Sequence, residues 1–146
     1  MTRNFAMLTL TALLAACHAG GGGAPVPGDS SDHQPFSGIA ASETIRFTGT
    51  EPFWGGESSG DTLTYTTPEN QSGEAIRVKR FAGRGGVSLS GEMRGQPFDL
   101  TVTPGDCSDG MSDRTYPYAA TLRLGSETRQ GCAWTKTKGF IGPPNP

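Results

Sequence analysis

The chain predicts an all-β fold: a small antiparallel meander of short strands, most simply closed into an eight-stranded barrel and held by one disulfide. Three observations carry that reading. Apolar residues alternate with polar ones in runs of a few residues, the period of a half-buried strand. Tight-turn residues separate these runs. Hardly any helical stripe of apolar residues competes with them. A two-sheet β-sandwich is the alternative. Closure is preferred because it removes the open edges that a meander otherwise exposes. A barrel of this size has an interior that side chains nearly fill, or that holds one small ligand.

The expected strands run in order along the chain. Residues 44–48 alternate, with Ile45 and Phe47 on one face. Residues 49–56 form a bend through Pro52 that leads into a second short strand, closed by a turn at Ser58-Ser59-Gly60-Asp61. A third covers 62–66, with Leu63 and Tyr65 together, and a polar loop is expected at 67–73. The fourth, 74–81, carries Ile76 and Val78, and Gly83-Arg84-Gly85-Gly86 turns the chain. The fifth is 87–90. The sixth, 96–103, aligns Phe98, Leu100 and Val102. The seventh, 116–124, aligns Tyr118, Ala120, Leu122 and Leu124; Gly125-Ser126 then turns into the eighth, 127–134.

The N-terminus reads as a targeting segment. Arg3 supplies positive charge, and the apolar stretch from Phe5 to Leu14 is broken only by Thr9 and Thr11. It is too short to cross a bilayer, which needs roughly 20 apolar residues. Small residues then precede a cysteine in Leu14-Ala15-Ala16-Cys17, like the lipobox at which bacterial lipoprotein signal peptides are cut. Residues 1–16 are therefore expected to be a signal peptide and Cys17 the lipidated residue, joined by a palmitate-bearing anchor to a membrane. Residues 17–42, rich in Gly, Pro and Ser, read as a flexible linker with a reach of roughly 27 Å. The β-domain is expected at 43–134 and a C-terminal tail at 135–146. Since residue 18 is His rather than Asp, the expected location is the outer membrane, facing the periplasm.

The chain has three cysteines. Assigning Cys17 to lipid leaves Cys107 and Cys132, which should pair in an oxidising compartment. The closed loop of roughly 25 residues is worth about 3.5 kcal/mol in the chain-entropy model. Zinc needs three or four protein ligands. The two histidines, His18 and His33, both lie near the acylated end, so no zinc site, and no other metal or cofactor, is expected. A net charge of −2 leaves no electrostatic footprint for nucleic acid.

The most unusual stretch is Cys107-Ser108-Asp109-Gly110-Met111-Ser112-Asp113-Arg114, followed by Tyr116-Pro117-Tyr118. Together with Gly49-Thr50-Glu51-Pro52-Phe53-Trp54 and Gly131-Cys132-Ala133, it resembles an uncharacterised family of bacterial envelope lipoproteins. Members of that family are often associated with META (HslJ-like) domains. The resemblance covers essentially residues 47–134. It implies a periplasm-facing domain and carries over no catalytic residue.

Within the unusual stretch, Asp106, Asp109 and Asp113 with the Ser108 and Ser112 hydroxyls offer the hard oxygens that calcium takes, but the spacing is not that of an EF-hand. The favoured reading is a fixed loop in which Asp and Ser side chains bond nearby backbone amides. Glu51, Phe53 and Trp54 could line a ligand mouth beside it; for the two aromatics a place in the core is preferred. Glu51 is a candidate partner for Arg114. Arg77, Lys79, Arg80 and Arg84 form a basic stretch, read as a solvated face rather than a contact for anionic headgroups or glycan. No histidine lies in the expected domain to activate a serine, and Asp109 with Asp113 is a weak acid–base pair.

The candidate binding or structural loop is thus Glu51, Trp54, Asp109, Asp113, Arg114 and Tyr116. The expected function is a non-enzymatic binding or structural module on the envelope, with an envelope protein or glycan as partner. Inhibition of a secreted hydrolase such as lysozyme is the alternative, by fold-level analogy. A glycan-acting enzyme ranks last.

Overall fold

The computed structural model describes residues 34–144. The expected signal peptide, Cys17 and the linker up to residue 33 lie outside the described residues. Eight strands succeed one another: β1 (Ile45–Thr50), β2 (Phe53–Ser59), β3 (Thr62–Thr67), β4 (Asn70–Ala82), β5 (Val87–Met93), β6 (Gln96–Cys107), β7 (Tyr116–Leu124) and β8 (Glu127–Thr135). Each pairs antiparallel with the next, and β8 returns to β1 from Ile45↔Thr135 to Thr48↔Cys132, so the barrel is closed. The expected barrel is the observed fold, and the sandwich alternative falls.

Alternation decides what faces inward. Ile45 and Phe47 of β1, Leu63 and Tyr65 of β3, Ile76 and Val78 of β4, and Val87 and Leu89 of β5 are buried. So are Phe98, Leu100 and Val102 of β6, Tyr118, Ala120 and Leu122 of β7, and Ala133 of β8. These side chains form one cluster with Trp54. The interior is occupied by protein, at roughly 1.5–3 kcal/mol for each large apolar side chain removed from water.

Four strands, β2, β4, β5 and β6, depart clearly from expectation, β5 by running on to Met93. β2 begins at Phe53, includes Gly55 and Gly56, and runs on through Ser58 and Ser59, which were expected in the turn, and β4 begins at Asn70. Both stretches are polar or side-chain-poor, so no alternation marks them. Their pairing comes from neighbours: β2 lies between β1 and β3, and Asn70 faces Thr67 across a two-residue turn. Similarly, β6 runs on to Cys107 after a register shift between Pro104 and Cys107.

The ordered domain is also wider than 43–134. Ile39 is buried and Phe36 packs against the core. The Phe36 amide donates to the Gly83 carbonyl at 2.7 Å, Arg80 donates to the Ile39 carbonyl, and the Tyr118 hydroxyl to the Gly38 carbonyl. Phe36 and Ile39 are isolated apolar residues in a Gly/Ser-rich context, which is why no period announced them. At the other terminus, residues expected as a tail fold back. Thr135 and Lys138 close a turn, Ile141 bridges to Thr115, and the Thr137 amide donates to Glu43.

Candidate functional site

The loop between β6 and β7 doubles back over the outside of β8. Cys132 points outward by alternation, yet it is fully buried, because the bonded Cys107 lies over it. The Cys107–Cys132 disulfide spans 5.6 Å between Cα atoms. Asp109 organises the rest of the loop. Its Oδ1 accepts from the amides of Met111 at 3.0 Å and Ser112 at 2.8 Å. Its Oδ2 accepts from the Ser112 hydroxyl at 2.7 Å and the Tyr116 hydroxyl at 3.0 Å. Burial pushes the Asp109 carboxyl up, but these donors together outweigh it and hold its pKa down to about 2. The Thr50 hydroxyl donates to the Asp109 carbonyl, which fastens the loop to the end of β1.

Tyr116 packs its ring against Trp134 at 5.3 Å and Phe140 at 5.5 Å between centroids. Arg114 stacks over Phe140 at 4.3 Å and donates to the carbonyls of Pro143 and Pro144. The expected Glu51–Arg114 pair is therefore absent. The guanidinium is committed to the C-terminal segment, and Glu51 stands exposed in the β1–β2 turn. Asp113 is exposed and forms no ion pair with its neighbour Arg114 among the described residues. No three of His, Cys, Asp and Glu among the described residues group so as to hold a metal.

Of the two expected core aromatics, one is inside. Trp54 is 3% exposed, whereas Phe53 is 52% exposed, because alternation on β2 sends adjacent residues to opposite faces. The Trp54 indole occupies room left by two glycines. A Cβ at Gly49 would come within 2.0 Å of Nε1, and one at Gly131 within 2.9 Å of Cζ2. Nε1 finds no hydrogen-bond partner among the described residues.

The outer face of β1, β2 and β3 forms a cleft of about 610 Å³, and register explains its shape. Gly55 lies opposite Thr48 on one side and Thr66 on the other. In the next row outward-facing Glu57 lies opposite Arg46 and Thr64, and Arg46 in turn faces Trp134. Gly55 therefore leaves a notch between two threonines, with Phe53 and Glu57 flanking it along β2. Gln71 and Ser72 of β4 complete the rim. The charged lining residues, Arg46 and Glu57, are paired at 3.3 Å. Trp134 belongs both to this trough and to the aromatic group that Asp109 braces through Tyr116.

Of the sequence-derived candidates, the fold thus joins Asp109, Tyr116 and Arg114 in a brace on the barrel wall, with the disulfide beneath. It puts Trp54 inside and leaves Glu51 and Asp113 at the surface. The trough residues Thr48, Thr64, Thr66, Gln71, Ser72 and Trp134 escaped the sequence reading. A signal existed: Thr64 and Thr66 alternate with Leu63 and Tyr65, and Trp134 has the opposite parity to buried Ala133. Comparison with known protein families, with curated proteins and with solved structures found no match to this chain.

Proposed function

We propose that this chain is a lipid-anchored, periplasm-facing envelope protein whose barrel is a non-enzymatic binding module, acting through the outer trough. The observation that carries the binding role is a pairing of opposites. The barrel interior is filled with protein side chains, while an aromatic side chain, Phe53, stands half-exposed beside a concave surface. Unlike the exposed ring of Phe81, which stands away from the cleft, Phe53 lines it together with hydroxyl and amide side chains, the mix of an aromatic wall and a few polar groups that ligand sites use. The cleft volume lies within the roughly 300–1,000 Å³ typical of ligand sites.

The anchor rests on Leu14-Ala15-Ala16-Cys17 behind a short apolar run. With Cys107 and Cys132 bonded to each other, Cys17 is left without an intrachain cysteine partner. Family membership among envelope lipoproteins remains part of the same proposal, on the motifs around Glu51 and Cys107. Labelled palmitate fed to a bacterium expressing the chain tests the anchor. Label and membrane fractionation are expected for the wild type and lost in Cys17→Ala; an unlabelled, soluble wild type would overturn it.

One observation favours a second reading, inhibition of a secreted hydrolase. Glu51, Pro52 and Phe53 lie exposed at the β1–β2 turn, where an enzyme could reach them. A lysozyme assay separates the two: slowed lysis that depends on Glu51 or Phe53 would favour the inhibitor.

A further inference from the structure

We infer that the trough over β2 binds a neutral saccharide strand, laid across the notch at Gly55 with a sugar face against Phe53. The inference deepens the reading of this face as the binding surface, and rests on it.

The chemistry of the lining selects the ligand class. Its charges, Arg46 and Glu57, are spent on each other, so no uncompensated charge awaits a phosphate, a nucleic acid or a strongly acidic peptide. Its remaining polar groups include the hydroxyls of Thr48, Thr64 and Thr66 and the amide of Gln71, groups that both donate and accept. Its apolar lining is Phe53, Pro68 and Trp134 at the surface, with the buried Phe47 and Trp54 behind them. A pyranose presents the complement: a face of C–H groups that stacks on an aromatic ring, and a rim of hydroxyls that donate and accept.

The backbone argues against an extended peptide. Peptides that bind sheets commonly add a strand to an open edge. Here β2 is paired on both sides, to β1 and to β3, and the barrel is closed. A peptide would have to satisfy its amides and carbonyls on side chains alone.

The trough is also held in shape. Trp134 is packed by Tyr116, whose hydroxyl is fixed on Asp109, and the disulfide pins the covering loop. A rigid wall lowers the ordering cost of binding, which matters for a ligand that offers few apolar contacts.

The test is a calorimetric titration of the mature lipidated chain in detergent, with short N-acetylglucosamine oligomers and, separately, glucose-based oligomers. Pelleting with intact peptidoglycan sacculi forms a third arm and shows whether an N-acetylated envelope glycan is the source. Phe53→Ala and Thr66→Trp alter the trough at exposed or half-exposed positions. Phe81→Ala removes an exposed ring that does not line it. Saturable binding to at least one sugar is expected, unchanged in Phe81→Ala, weakened about tenfold in Phe53→Ala and abolished in Thr66→Trp. Equal binding by all variants would overturn the placement. Absence of binding to every sugar at millimolar concentration would overturn the saccharide class. In that event, capture of an envelope protein by the wild type, lost in both trough variants, would leave the binding surface standing with a protein ligand. Capture that neither variant alters, or no capture, would remove the surface as well.

Discussion

The Tyr116 hydroxyl donates to the Asp109 carboxylate at 3.0 Å, and through that bond the loop leaving β6 is fixed to the ring that supports Trp134. Tyr116→Phe should cost about 0.5–1.5 kcal/mol, the usual net value of one hydrogen bond. Asp109→Asn should cost more, since the carboxylate also accepts from Met111, Ser112 and the Ser112 hydroxyl. In a double-mutant cycle read by urea unfolding, the pair should couple, with the double variant less destabilised than the sum of the singles. Strict additivity would show that the bond does not brace the loop.

Acid should loosen this brace. The folded-state pKa of Asp109 is depressed to about 2, against about 3.9 for a free Asp. A depressed folded pKa means that the contribution is complete above the unfolded value and disappears as pH falls through the folded one. Discounted for the partial exposure of the loop, it is on the order of 1 kcal/mol. Wild-type stability should therefore fall more steeply than that of Asp109→Asn between about pH 4 and pH 2. Parallel curves would contradict the assignment.

Much of this arrangement was legible in the chain, and the reasons are physical. Strands with one buried face, such as the run Phe98, Leu100, Val102, announce themselves through alternation, because one side of each strand meets the core. The cysteine pair could be read because the lipobox-like Leu14-Ala15-Ala16-Cys17 gives Cys17 a separate expected role. The trough could not be read in the same way. It is made where β2 lacks side chains, at Gly55 and Gly56, and its walls are Thr and Gln residues that look like ordinary solvated strand positions until register sets them side by side. Glu51 and Arg114 illustrate the opposite error. An acid just before a proline bend suggests a partner for Arg114, but the guanidinium is held by the C-terminal segment, through Phe140, Pro143 and Pro144.

Removing the disulfide should lower stability by about 3–3.5 kcal/mol in the chain-entropy model for a closed loop of this length. The Cys107→Ala/Cys132→Ala variant should still fold at low temperature, because the barrel ladder is complete without it. A melting temperature within a degree or two of the wild type would show that the loop is already held by Asp109 and the aromatic group.

Gly131 should tolerate no side chain. A Cβ there would lie 2.2 Å from the Thr48 carbonyl oxygen and 2.9 Å from Trp54 Cζ2, and neither the strand backbone nor a packed indole yields easily. Gly131→Ala should cost roughly 1–3 kcal/mol or more, as overpacking does. By contrast, Gly60→Ala meets nothing within 4 Å, and its penalty should come from its positive φ of 61° alone. Equal penalties at the two sites would count against the tight seating of Trp54.

The role of the outer trough as the binding surface is tested most directly by backbone amide shifts of the isotopically labelled chain, followed by NMR as an N-acetylglucosamine oligomer is added. Perturbations should cluster on Thr48, Gly55, Gly56, Thr66 and Gln71 and leave Ser88, Thr101 and Thr121, on the far strands, unmoved. Perturbations centred on those far strands, or none at saturating oligomer, would contradict it.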